Sequence, residues 1–428
     1  MNGAGPRRLE LTLATGLLGL YLVTGNGSAE GAIASALGAL VGLVAFRLYR
    51  RLGAGEGVAT LVTVALGCAT LLWPSARRDP HAVLEALLVT GLVEALLAAA
   101  AGELRPVVVG LWAGMLIFDD LRFVPGVLGA GVHLGLAVPR GRRAAALGEM
   151  AAPVVVLGVL AALGLGGKLP DPDRYREHIL DGLWGLFLST GKGVLLFSPP
   201  LVLGLVAIPA AARADRPAVR ALALTIVPVV LLQAKSLLWS GGHTWGVPDV
   251  VCLHPAALAP LAIALAHRRV DLPRRVAIAA VLVLGLGVQL LASAFAPGTW
   301  LTIAHDVGRA WLGKPDLGGA DPMPCIDCFE QTYRVDWLPP FQPILGHLWL
   351  LRHVTLGHDY ERAQRDAPWR RYVNARFDAT AAYRGASVDW WAGDGPLAGP
   401  GLLAVECLLV GAGALRLRRL LAPGPEAS

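Results

Sequence analysis

Residues 31–51 read GAIASALGALVGLVAFRLYRR, a run of small and apolar side chains that closes on Arg47, Arg50 and Arg51. A helix that crosses a bilayer needs about 20 mostly apolar residues. Arginines concentrate in the short loops on the cytoplasmic side. The segment therefore reads as a membrane span whose arginine end faces inward.

The pattern repeats along the 428-residue chain. Apolar stretches lie near 9–23, 31–46, 58–73, 82–101, 106–118, 124–138, 145–164, 200–212, 218–238, 255–266, 276–295 and 398–415. They predict an all-α, polytopic membrane protein with about 12 transmembrane helices, some of them short enough to be broken. Composition agrees: 55% of residues are hydrophobic, 16% are charged and the mean hydropathy is +0.57. A soluble domain carries about 25% charged residues. The abundant Gly and Ala suit membrane helices, which associate by close packing because lipid supplies no hydrophobic drive. No small-residue cleavage site follows the first stretch, which reads as an uncleaved span.

Basic residues fix the expected orientation. With the N-terminus inside, the inner segments hold Arg7 and Arg8, Arg47 to Arg51, Arg105, Arg140 to Arg143, Arg213 to Arg220, Arg268 to Arg275 and Arg416 to Arg419. Both termini are then cytoplasmic in a bacterial inner membrane. The outer face receives 74–81, 119–123, 165–199, 239–254 and 296–397. The expected organisation is a membrane domain over 1–295, an extracytoplasmic segment over 296–397, and a last span with its tail over 398–428. The formal charge of +6 belongs to loop arginines, so a nucleic-acid partner is not expected.

Chemistry-bearing residues gather in the outer segments. Asp119 and Asp120 end an apolar stretch, with Arg122 just beyond. Carboxylates at a membrane edge are costly and often functional. The pair suits a general base or a divalent metal, and equally a plain acid pair that saturates Arg122. Arg77, Arg78, Asp79 and His81 form a second charged turn. Its arginines suit a lipid phosphate, while Asp79 alternatively caps the next helix. The stretch Ser189-Thr190-Gly191-Lys192-Gly193 superficially resembles a phosphate loop, but the Gly-x4-Gly-Lys-Ser/Thr spacing is absent. Lys192 nonetheless suits a phosphate. Trp239-Ser240-Gly241-Gly242-His243-Thr244-Trp245-Gly246 is Gly-rich, and its aromatic faces suit a sugar ring or an interfacial belt. Cys325-Ile326-Asp327-Cys328 reads as a local disulfide in an oxidising compartment, or as part of a metal site.

Two of these segments, in this order, resemble bacterial GT-C-type membrane glycosyltransferases, the protein mannosyltransferases and aminoarabinose transferases among them. They are Gly191-Lys192-Gly193-Val194-Leu195-Leu196-Phe197-Ser198-Pro199-Pro200 and Trp239 to Gly246, and Phe341 to Leu351 is similar to a later outer region of that family. The resemblance spans roughly 30–415 and implies a sugar donor on polyprenyl phosphate, a cell-envelope acceptor, an inverting transfer on the outer face and, in some members, a divalent metal. Within that reading, Arg77, Arg78 and Lys192 are expected from their chemistry to contact the lipid phosphate, and Trp239, His243 and Trp245 to line the sugar pocket. Two departures stand out. The first outer loop, Asn26 to Glu30, is too short for the family's acidic loop. Val247-Pro248-Asp249 also stands where Pro-Arg-Tyr is usual. The chain is thus expected to be truncated at its amino terminus or catalytically degenerate. No catalytic acid carries over from the family, and Asp119 and Asp120 are nominated from their chemistry alone. A non-catalytic protein binding lipid-linked sugar or a partner is the alternative function. A transporter is a third and lesser reading: charged residues inside several spans would support it, but only Glu85, Glu94, Glu149, Lys235 and Glu406 lie near or within apolar runs.

Overall fold

The computed structural model describes residues 5–23, 29–166, 172–237, 245–268, 270–295 and 342–368, together with Trp300, Ile303 and Tyr383. Among the described residues the regular structure is helical throughout. The helices are α1 (Gly5–Val23), α2 (Ala29–Arg51), α3 (Glu56–Ala69), α4 (Leu72–Arg78), α5 (Pro80–Ala100), α6 (Pro106–Asp119), α7 (Val124–Ala137) and α8 (Arg143–Leu160). They continue with α9 (Ile179–Leu188), α10 (Val194–Phe197), α11 (Pro200–Ala214), α12 (Arg216–Ala234), α13 (His254–His267), α14 (Leu272–Ala294), α15 (Pro343–Thr355) and α16 (Tyr360–Gln364).

Local chemistry sets many helix starts. Asp79 accepts the Ala82 N–H at 3.0 Å, Asp215 accepts that of Ala218 at 3.0 Å, and Asp271 accepts that of Arg274 at 3.2 Å. Each is an N-cap that satisfies one of the orphan donors of a first turn. Prolines stand in the first turns of α5, α6, α11, α12 and α14, where a missing N–H costs nothing. Asp79 is therefore a capping residue.

Every apolar stretch up to residue 295 is occupied by helix, and 58–73 is bent by 58° between α3 and α4. Among the described residues, six helices are long and apolar enough to cross a membrane: Ala29–Arg51, Pro80–Ala100, Arg140–Leu165, Arg216–Ala234, Pro248–His267 and Leu272–Ala294. The bent pair raises this to seven. That is fewer than the expected twelve, and helix length is the reason. α6 and α7 have 14 residues each, which at 1.5 Å per residue reach roughly 21 Å, against a hydrocarbon core of about 30 Å. The expected last span, 398–415, and most of 296–397 lie outside the described residues. The segment 165–199, expected on the outer face, carries α9 and α10.

Two long helices turn apolar faces outward. α8 exposes Val155, Val156 and Val159, and α14 exposes Val276, Val283 and Leu284. Water would demand polar residues on such faces, whereas lipid does not. The protein is a helical membrane protein.

At the centre, α5 packs against α2, α6 and the 3-10 turn Pro248–Leu253. Neighbouring helices touch backbone to backbone. A Cβ on Gly110 of α6 would stand 2.2 Å from the Met150 carbonyl oxygen of α8, and one on Gly129 of α7 would stand 1.8 Å from that of Leu224 on α12. One end of the bundle gathers Arg51 with Glu94 (3.0 Å) and Glu103 (2.5 Å), Arg105 with Glu149 (3.6 Å), and Gly53 against His267. The opposite end carries the start of α5, the end of α6 and the turn Pro248–Leu253. Beside the main core, Trp300, Trp349, Tyr360 and Tyr383 form a small separate one around α15 and α16.

These close approaches are testable in detergent. Gly129→Val and Gly110→Val are expected to lower stability by about 1–3 kcal/mol or more, since the added carbons meet backbone that cannot yield. Gly148→Ala, where a Cβ meets nothing within 4 Å, is expected to be neutral or stabilising through helix propensity. Thermal unfolding of the three variants checks this, and equal melting temperatures would contradict the packing.

Candidate functional site

The chain direction of α5 brings His81 and Glu85 to one face, four residues apart, at the end where α6 stops. Asp119 is the last residue of α6. Asp120 then leaves the helix, and its side chain accepts the Arg122 N–H at 2.7 Å, starting the 3-10 turn Leu121–Phe123. This turn drives the Arg122 side chain back into the bundle, where it is 7% exposed. Its guanidinium holds both oxygens of Glu85, which is 1% exposed. It also faces Asp120 at 3.3 Å and Asp249 at 3.3 Å, and lies 4.9 Å over the Phe123 ring.

Asp249 extends the network. Arg174 reaches its Oδ2 at 3.2 Å, Gln233 donates to the same oxygen at 2.9 Å, and the Arg174 Nε donates to Ser236 at 3.0 Å. Backbone bonds hold the 174–177 segment to the end of α12: Leu237 N–H to the Arg174 carbonyl at 2.7 Å, and Glu177 N–H to that of Lys235 at 3.0 Å. Burial, reinforced by Asp120 and Asp249 and opposed by Arg174 and Arg122, holds the Tyr175 phenol above its ordinary range, so it stays a hydrogen-bond donor. Towards solvent, the His81 ring, 55% exposed, has Nε2 3.5 Å from Glu85 and Nδ1 3.6 Å from Asp119. One ligand atom from each of these three residues falls within 4.8 Å of the others, and they are the described residues grouped well enough to hold a metal ion. The Asp119 Oδ2 is buried with no hydrogen-bond partner.

Of the residues nominated from sequence, Asp119, Asp120, Arg122 and His81 therefore meet. Arg77 and Arg78 end α4. Arg77 is 2% exposed, and its Nε has no hydrogen-bond partner. Lys192 is fully buried between α9 and α10. Trp245 is also buried. It stacks edge-on against Phe197 at 5.1 Å and tilts over His347 at 4.5 Å, so it packs the core instead of lining an open pocket. Burial pushes His347 down to about 4, and its Nδ1 bonds the Leu291 carbonyl. Trp239, His243, Cys325 and Cys328 lie outside the described residues. Ser198 and His254 form a buried contact at 2.9 Å. Because the His254 Nδ1 faces the Val250 carbonyl, which only accepts, the Ser198 hydroxyl donates to Nε2.

Glu85, Arg174, Gln233 and Asp249 were missed as site residues. Glu85 had a signal: an acid inside an apolar run faces a partner or a cavity. Asp249 was visible only as a departure from a motif, and Arg174 lay in a segment with no periodicity.

Next to the charged cluster, an apolar cavity of about 330 Å³ opens between α9, α11, α12 and α13. Val250, Leu253 and His254 line one side of it, so the turn that carries Asp249 to the cluster also borders the cavity. No family model, curated protein or solved structure matches this chain. Fold and site together define a polytopic helical membrane protein with a buried ion-pair network at one end of its bundle.

The Arg122–Glu85 pair makes a measurable prediction. Arg122→Met is expected to destabilise by about 3–5 kcal/mol, because it leaves Glu85 buried and uncompensated. Combining it with Glu85→Leu is expected to restore most of the loss. Unfolding in detergent measures both, and a double variant no better than the single would remove the pair from this role.

Proposed function

We propose that this protein transfers a sugar from a polyprenyl-phosphate donor to a cell-envelope acceptor, at the end of the bundle that carries His81, Asp119 and Asp249. That end is taken as the outer face of a bacterial inner membrane. The convergence of Asp119 with His81, Arg122 and Arg174 carries the reading. An acid, an imidazole and two guanidiniums lie together at a membrane edge, beside a cavity suited to a hydrocarbon chain.

Asp119 is the base in this reading. Its Oδ2 has no protein partner, while Asp120 is committed to the Arg122 backbone and guanidinium. The acceptor hydroxyl attacks the anomeric carbon as its proton passes to Asp119. The bond from that carbon to the phosphate oxygen breaks, and the lipid phosphate leaves with the electron pair. Arg174, 30% exposed, steadies the departing charge. The lipid chain lies in the apolar cavity. A binder of lipid-linked sugar without turnover is the second reading, favoured by the burial of Arg122 and its commitment to Glu85 and Asp249.

Purified protein given polyprenyl-phosphate mannose and an envelope lipid extract tests this. Asp119→Asn is expected to lower transfer by roughly 10²–10⁴-fold, the usual contribution of a general base, and Asp120→Asn by less. Donor bound without release of lipid phosphate would select the binding reading. No donor binding at all would end both.

A further inference from the structure

We infer that His81, Glu85 and Asp119 bind a divalent cation of the Mn²⁺ or Zn²⁺ type. The inference rests on the functional reading only for the cation's use, and not for its presence. Three observations carry it.

The first is charge. Glu85, Asp119, Asp120 and Asp249 bring four carboxylates together, and the guanidiniums paired with them are those of Arg122 and Arg174. Among these groups, four carboxylates face two guanidiniums. Such an excess is expensive at a half-buried membrane edge, and a divalent cation offsets it.

The second is geometry. Ligand atoms bound at about 2.0–2.2 Å around one ion stand roughly 3–3.6 Å from one another. One ligand atom from each of the three residues falls within 4.8 Å of the others. The exposed His81 ring turns Nε2 to Glu85 at 3.5 Å and Nδ1 to Asp119 at 3.6 Å, and a rotation of the ring would set one nitrogen between the two carboxylates. Glu85 serves the ion and Arg122 together, because a carboxylate offers about four lone-pair sites.

The third is the Asp119 Oδ2, buried with no hydrogen-bond partner. A buried acceptor without a donor costs about 1–3 kcal/mol, and a cation answers it. The donor set of one imidazole and two carboxylates excludes a thiolate site and fits first-row divalent ions. With three protein ligands and His81 open to solvent, coordination positions remain for water or a phosphate oxygen.

The test uses the full chain in detergent, stripped with chelator and titrated with Mn²⁺, with free Mn²⁺ read by electron paramagnetic resonance. One saturable site per chain is expected. His81→Ala and Asp119→Asn are each expected to weaken it at least tenfold, and circular dichroism checks that both variants remain helical. His178→Ala removes an exposed histidine 3.8 Å from Asp181 and is expected to leave binding unchanged. Absence of a saturable site in the unaltered chain would overturn the inference, as would binding insensitive to both His81→Ala and Asp119→Asn. Mn²⁺ bound without sugar transfer would leave the cation site standing and remove the transferase reading.

Discussion

The contact between Arg122 and Glu85 constrains everything at its end of the bundle. Neither charge has solvent to fall back on, so each requires the other, and the remaining donors of the guanidinium require Asp120 and Asp249. A single ionic centre thus ties α5, the turn after α6 and the turn before α13 into one rigid corner. Asp249 passes the constraint on to Arg174 and Gln233, which anchors the segment before α9 and the end of α12.

The two ends of the bundle use charge differently. At the arginine-rich end, Arg51, Glu94 and Glu103 pair near solvent, where ion pairs contribute little and are screened. At the other end, the same kinds of residue are withdrawn into the protein, where each unpaired group is costly. Only that second arrangement aims functional groups at fixed distances inside the protein. The apolar cavity beside it places a dry volume next to a polar one, the division that an amphipathic lipid ligand presents.

Much of the site was legible piecemeal. Asp119, Asp120 and Arg122 stood out because charges at the end of an apolar run are unusual, and His81 because it follows a charged turn. Their meeting was not legible. The charged turn at 77–81 read either as a phosphate grip by its arginines or as a helix start capped by Asp79, and Asp79 is the cap. Trp245 looked like a platform for a sugar and proved to be core, because the Gly246 turn folds it onto Phe197 and His347. Glycine-rich aromatic segments read alike in both situations, since composition does not record which way a loop folds.

The sequence by itself determined the helical class, the membrane setting and most helix starts. Those follow from local causes: the length of apolar runs, the Asp caps, and proline in first turns. Only the tertiary structure decided which charges face one another. Glu85 and Arg122 are 37 residues apart, and Arg174 and Asp249 are 75 apart. No periodicity links such positions. Their pairing depends on how far helices slide and rotate as they pack, which close contacts such as Gly129 on Leu224 set. Likewise, an apolar run states that it avoids water. Whether it is long enough to span, or stops short and turns a carboxylate into the site as α6 does, is decided by where the folded chain can place its charges.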